Sequence, residues 1–567
     1  MSPVSGNGAL APPRPELVTP AVPEPRPRWI ELATSGDHKD IGRMLITGAL
    51  SFVVIALVEF LIMRLQLVVP ENDLLSPTLF NRMLTLNGAT LVFFFALPLA
   101  LGLFTYIVPL QIGARGLAFP RLANFSFWLF AIGGLVLYST FLFTPPDVGV
   151  NPWPPLSETS FSTNNGVDGW IVGCGLSLLG MVLLAVNLAA TLSTLRAPGM
   201  AWRRVPAFSW AALVASWVLI VGGAAMLAGI TMLEIDRHFN GVFFDPGENG
   251  APLYWQHLSW LFFNSVWLLM VLPAIGAISE ILPALSGKPP FGRRTIAASM
   301  AAIGTLGLLA WMQNMFTAGI PDGFIYFAQA AAVLLLVPFG VVLFNWIATL
   351  AGGAIRIKAP LLFAVAAIST LSIGLGMELM QALIPVNWQL SSTATATAAT
   401  GYVLVGGGVL GGLAALHYWY PKMTGRFMGE SLARLSLLTI LIGAHATLLP
   451  LFLAGLDGQP VDIYKYYEGE GLDTLNLISS IGSFVLAAGI LISVLNALWS
   501  RNSGTPAGHD PWFGTSLEWF AVSPPPPHNF DVIPDVRSAE PLRDIRDAIE
   551  RRGRPSAAEA PTGEPVA

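Results

Sequence analysis

Apolar runs separated by short polar breaks occupy the chain from about residue 43 to residue 500. They fall at about 43–66, 84–108, 124–145, 169–195, 207–232, 256–284, 295–318, 323–353, 359–385, 392–420, 432–456 and 475–500. Each is long enough to cross a hydrocarbon core roughly 30 Å thick as a helix. The pattern predicts twelve spanning helices, an even number, so both ends of this block face the same side. Residues 1–40 are rich in proline, polar and charged residues and lack the apolar core of a signal peptide, so they read as a disordered tail. After about residue 503 the chain again turns polar, with Pro524–Pro527 and a charged stretch at 537–554 that reads as solvated tail or, alternatively, as a short amphipathic cytoplasmic helix.

The breaks after even-numbered spans hold most of the basic residues, among them Arg115, Arg204, Lys288, Arg293, Arg356 and Arg426. The alternate breaks carry acids instead, such as Asp147, Glu158, Asp245 and Asp462. Positive loop charge stays on the cytoplasmic side, which predicts that both termini are cytoplasmic. The break at 146–168 contains Pro146, Pro152, Pro154 and Pro155, directly after Pro145, and is expected to be a rigid outer lid rather than a helix.

The tenth run differs from the rest. Residues 390–405 read LSSTATATAATGYVLV, and the first half is almost wholly Ser, Thr, Ala and Gly. Small residues let neighbouring helices approach, and the hydroxyls bond back to their own helix, so this span belongs inside a bundle. Composition agrees: of 567 residues 54% are hydrophobic and 11% charged, and the mean hydropathy is +0.64, which places the chain in the membrane class. A net charge of −5 argues against a nucleic-acid partner, and the single Cys174, in an apolar run, excludes a disulfide framework or cysteine metal cluster.

Several stretches then appear in a specific order. Asp37-His38-Lys39 precedes the first span, FFFALP stands at 93–98, LYWQHLSW at 253–260, FNWIATLAGG at 344–353, YWYPKMTGR at 418–426 and NLISSIGS at 476–483, with Leu517-Glu518-Trp519 ahead of Ser523–Pro527. Together they resemble the scaffold motifs of subunit I of the heme–copper oxidases, the cytochrome c oxidase class, from about residue 37 to 531. The resemblance implies an all-α integral membrane protein, twelve transmembrane helices in three four-helix arcs, carrying two hemes and a copper ion held by six histidines. It also implies oxidase subunit II and III partners on its surface and a lipid bilayer around it.

The six histidine positions are occupied otherwise here. By the resemblance they correspond to Asn87 on the second span, Asn264 on the sixth, Gln313 and Asn314 on the seventh, and Ala399 and Gly401 on the tenth. Imidazole suits heme iron and copper in a dry interior, and neither amides nor carbon side chains replace it. Other family positions are lost as well: the sixth-span Glu and Tyr fall at Val266 and Leu268, the proton-path residues at Val342, Gly116 and Ala123, and the propionate-binding Arg pair at Val461-Asp462. Arg64 does match a position that contacts a heme substituent, as well as suiting an interfacial helix end. The seven histidines do not replace the ligands: His38, His509 and His528 fall in tails, His238 in an outer loop, and His257, His417 and His445 show no paired spacing.

No heme, copper or other cofactor is therefore expected. Asn264, Gln313 and Asn314 are expected to converge as a neutral hydrogen-bond cluster, or as a site for a small polar ligand or ion. The emptied heme volumes are expected to be filled by bulky residues such as Trp267 and Trp311, by an inward shift of the tenth helix, or by a lipid or quinone tail. Glu59 and Glu378 lie within spans and are candidate proton carriers, with bundle hydroxyls or Arg as alternative partners. Three functions follow: a non-catalytic structural subunit of a respiratory membrane complex, a proton or small-solute pathway, or a terminal oxidase with unconventional ligands.

Overall fold

The computed structural model describes residues 27–553. Expectations for residues 1–26 and 554–567 lie outside the described residues. Among the described residues, twelve helices are long and apolar enough to span a membrane: α1 His38–Gln66, α2 Pro77–Gln111, α3 Pro120–Leu142, α4 Gly166–Thr194, α5 Ala207–His238, α6 Pro252–Ser286, α7 Arg293–Met315, α8 Asp322–Leu350, α9 Ala359–Ala382, α10 Ala394–Thr424, α11 Glu430–Leu456 and α12 Asp473–Ser503.

These match the apolar runs, and most extend a few polar residues beyond them. The start of α1 shows why. Asp37 caps the helix through a bond from Lys39 N at 2.9 Å. His38 and Lys39 are buried. His38 therefore opens the first helix rather than lying in a loose tail.

Most consecutive helices pack side by side around the bundle, α3 packs on α1 and α4, and α6 contacts both α2 and α10 at its centre. In the most apolar 18-residue window, 83% of α2 and of α6 is buried, against 33% of α1 and α8. The small-residue expectation for α10 holds: a Cβ added to Gly406 would lie 2.6 Å from Leu371 N of α9. A close pairing joins α11 to α12, where a Cβ on Gly443 would sit 2.2 Å from Leu486 N. Ser436 and Ser493 hydroxyls meet there at 2.6 Å.

Two helices carry π-helical turns, α2 at Thr90–Ala96 and α10 at Leu404–Gly411. Such turns cluster at functional sites. The proline-rich loop is pinned by Arg237, whose Nη1 donates to Ser162 O at 3.1 Å, and by Asn151 Oδ1, which accepts from Trp255 Nε1 at 3.1 Å.

Residues 504–540 are not a solvated tail. They run as a strap across the end of the bundle that carries the basic loops, with Trp512, Leu517, Trp519 and Phe530 buried. Lys422 Nζ donates to Ala521 O at 2.6 Å, Asn529 Nδ2 to Ala114 O at 2.8 Å and Arg204 Nη1 to Val536 O at 2.8 Å. The charged stretch that follows folds as helix α13, Pro541–Gly553, the alternative of the two expectations for it.

Candidate functional site at the bundle centre

Asn87 lies on α2, 7% exposed, and donates its Nδ2 to Ala56 O of α1 at 2.7 Å. One turn along α1, Glu59 is 5% exposed. Its Oε1 accepts from Tyr138 OH at 3.0 Å, and Tyr138 OH lies 2.6 Å from Thr90 Oγ1. With the tyrosine proton pointing to Glu59, the Thr90 hydroxyl donates to Tyr138, giving an ordered chain across α2, α3 and α1. Glu59 Oε2 is buried with no hydrogen-bond partner among the described residues. The sequence singled out Glu59 and Asn87 but not Tyr138 or Thr90. The available signal was the spacing of Thr90, three residues from Asn87 and so on the same helix face.

Asn264 on α6 is buried and fully engaged: its Nδ2 donates to Gly307 O of α7, and its Oδ1 accepts from Trp267 Nε1 at 2.9 Å. Gln313 and Asn314 sit where α7 tightens into a 3₁₀ turn, Trp311–Met315. Asn314 is exposed and donates to Trp311 O at 3.3 Å, while Gln313 O accepts from Asn387 Nδ2 at 3.3 Å. The Asn264 and Asn314 side chains thus take separate partners, Gln313 is held through its backbone carbonyl, and among the described residues no hydrogen bond joins the three side chains. Gln313 and Asn314 lie in a tight turn that the apolar pattern does not announce.

On α10, Ala399 is fully buried, and a Cβ on Gly401 would stand 2.5 Å from Leu448 Cδ2 of α11. Between them Thr400 Oγ1 lies 3.5 Å from Glu378 Oε1, at the limit of hydrogen bonding, and Glu378 is half-buried. Each in-membrane carboxylate therefore neighbours a position at which the resemblance implies a heme ligand.

The interior histidines do not gather. His417 is buried, gives Nδ1 to Leu413 O at 2.8 Å and stacks on Phe363. His445 Nδ1 meets Tyr402 OH at 3.0 Å, and His257 packs edge-on against Trp311. Arg64, in the last turn of α1, is buried and donates to Asn476 O at 3.2 Å and Ser480 Oγ at 3.1 Å, both on α12. At the far end of α4 and α5, Asp168, Glu234 and His238 bring their ligating atoms within 4.8 Å of one another. There the Arg237 guanidinium, 2.7 Å from Asp168 Oδ1, already supplies a cation.

A family profile described as cytochrome c and quinol oxidase polypeptide I matches residues 40–485. Cytochrome c oxidase subunit 1 of Bacillus subtilis is 36% identical over 512 residues, covering 90% of this chain and 82% of the relative. That of Thermostichus vulcanus is 37% identical over 511 residues, covering 90% and 92%. A cryo-EM structure of a heme–copper terminal oxidase dimer superimposes with a TM-score of 0.68 at 15% identity, over 82% of this chain and 84% of that one, which supports the fold. With twelve spans in this arrangement and motifs matched in order along most of its length, the chain belongs to the heme–copper oxidase family and is similar to cytochrome c oxidase subunit I.

Proposed function

We propose that this subunit I-like membrane protein holds neither heme nor copper and acts as a non-catalytic partner subunit of a respiratory membrane complex. The observation that carries it is the contact at Gly401, where an added Cβ would meet the tip of the Leu448 side chain at 2.5 Å, so that an axial side chain there requires Leu448 to shift. The donor set supports the same reading. Asn87 and Asn264 direct amide protons at carbonyl oxygens, and Ala399 offers carbon alone. These groups do not fit iron or copper, so no redox step is derived through them. The partners are other oxidase subunits of the II or III type, docked on the lipid-facing helices. The basic loops support a bacterial plasma-membrane orientation with both termini cytoplasmic.

The test is purification from native membrane in mild detergent, followed by a reduced-minus-oxidised spectrum with iron and copper analysis. The expected result is no stoichiometric heme or copper, with oxidase subunits co-purifying. Stoichiometric heme in this chain overturns the proposal.

A second reading, a proton pathway, is favoured by one observation, the unpartnered buried Oε2 of Glu59 at the end of the Thr90–Tyr138 chain. Proton flux into liposomes containing the protein, lost in Glu59→Gln, would establish it. Equal flux in the variant removes it.

A further inference from the structure

Beneath the strap, at the end of the bundle carrying the basic loops, lies a cavity of about 250 Å³, far larger than one water requires. Its wall is contributed by the ends of α6 and α7, the loop after α8, the strap and α13. Five basic side chains line it, Lys288, Arg293, Arg356, Arg543 and Arg546, against two acidic ones, Glu280 and Glu540.

The acids are already engaged. Glu280 Oε1 accepts from Ala207 N at 2.7 Å, at the first turn of α5. Glu540 pairs with Arg543 at 3.1 Å, and Asp510 holds Arg546. The remaining three cations donate to carbonyl oxygens, and Arg356 also lies 5.6 Å over the Phe513 ring. Lys288 Nζ reaches Ala348 O and Ala351 O, Arg293 reaches Ala539 O and Arg204 O, and Arg356 reaches Ala284 O and Trp512 O. Among the described residues, no carboxylate forms an ion pair with any of them, and Arg293 Nε is buried without a hydrogen-bond partner. Three guanidinium or ammonium groups thus line one cavity with Glu280 as the carboxylate left beside them, so positive charge is in excess there and an anion that joins them gains charge-assisted hydrogen bonds. The wall between them is apolar, with Pro283, Ala284, Ile296 and Phe513.

We propose that this cavity binds a phosphate-bearing anion, with the phosphate on Lys288, Arg293 and Arg356. The site is independent of whether the bundle centre carries cofactors. Its place at the ends of spanning helices and its apolar wall favour the headgroup of an anionic phospholipid. A soluble phosphate compound shares the same chemistry.

The test uses the full-length, delipidated protein in detergent and native mass spectrometry, titrated separately with phosphatidylglycerol, phosphatidylcholine and inorganic pyrophosphate. Arg293→Gln removes a central cation. Arg543→Gln removes a rim cation whose bond is a single ion pair, so it leaves the fold standing. Arg294→Gln, on an exposed neighbour, is the control. Wild-type protein should take one phosphatidylglycerol saturably in preference to phosphatidylcholine, with affinity lowered about fivefold or more in Arg293→Gln, less in Arg543→Gln and not in Arg294→Gln. Pyrophosphate binding with the same variant pattern and no lipid preference assigns the site to a soluble phosphate. Binding of both anions that is indifferent to Arg293→Gln and Arg543→Gln overturns the proposal.

Discussion

Thr90, Tyr138 and Glu59 show what single side chains decide inside this bundle. A buried carboxyl group is tolerable only while a donor faces it, and Tyr138 OH at 3.0 Å is that donor. Tyr138→Phe should therefore destabilise the protein by about 1–3 kcal/mol, because it orphans both Glu59 Oε1 and the Thr90 hydroxyl. Glu59→Gln keeps an acceptor for Tyr138 and should cost less. Thermal unfolding of the two variants in detergent checks the order, and a neutral Tyr138→Phe would mean the chain of bonds does not form.

Gly401 gives a second residue-scale expectation. Gly401→His alone should lower the melting temperature by overpacking against Leu448 and should bind no heme. The double variant with Leu448→Ala should regain stability. Heme bound by the single variant would show that the space is there.

Among the elements, the α11–α12 pair is the most demanding, since its two backbones touch at Gly443. Gly443→Val should lose the monodisperse peak in gel filtration, whereas Gly340→Val, where an added Cβ meets nothing within 4 Å, should not.

The strap responds to pH through Glu518. Burial, reinforced by the nearby Glu280 charge, pushes its carboxyl up to about 7 from 4.5. Bonds from Gln111 and Ser516 offset only part of that rise. The folded strap thus holds a proton that the released strap gives up. The contribution of Glu518 is complete below about 4.5 and declines as pH rises towards 7, by about 3 kcal/mol. Proteolysis of the strap should accelerate between those pH values, and Glu518→Gln should flatten the dependence.

The spans were legible because unbroken apolar runs leave membrane helices little alternative. The strap was not, because its burial depends on Gln111, Lys422 and Asn529 meeting across hundreds of residues, which no local pattern encodes. The same limit applies at the centre. The identities of Asn87, Asn264, Gln313, Asn314, Ala399 and Gly401 could be read in order, but their partners could not. That Asn264 turns to Gly307 rather than to Gln313 depends on how α6 and α7 cross and on the 3₁₀ turn that ends α7.

Taken as a whole molecule, the bundle divides its charges by position. Basic groups collect at one end, around the cavity and the strap. The centre holds two carboxylates and a set of amides. The lipid-facing helices, of which α1 and α8 are the least covered, offer the area on which partner subunits would dock. Co-purification from native membranes should therefore survive Asn264→Ala, which alters only the interior. Loss of partners in that variant, with the fold intact, would place the docking determinant at the centre instead.

The strap also sets an order of events during synthesis. Asn529 meets Ala114 and the first residues of α1, so a part of the chain made after all twelve spans binds the first spanning helix. Twelve helices can enter the bilayer one after another, yet the end of the bundle with the basic loops stays open until residue 529 has left the ribosome. A nascent chain stopped at residue 503 would be fully inserted but unlatched, and exposed to proteases at the face that the finished protein closes.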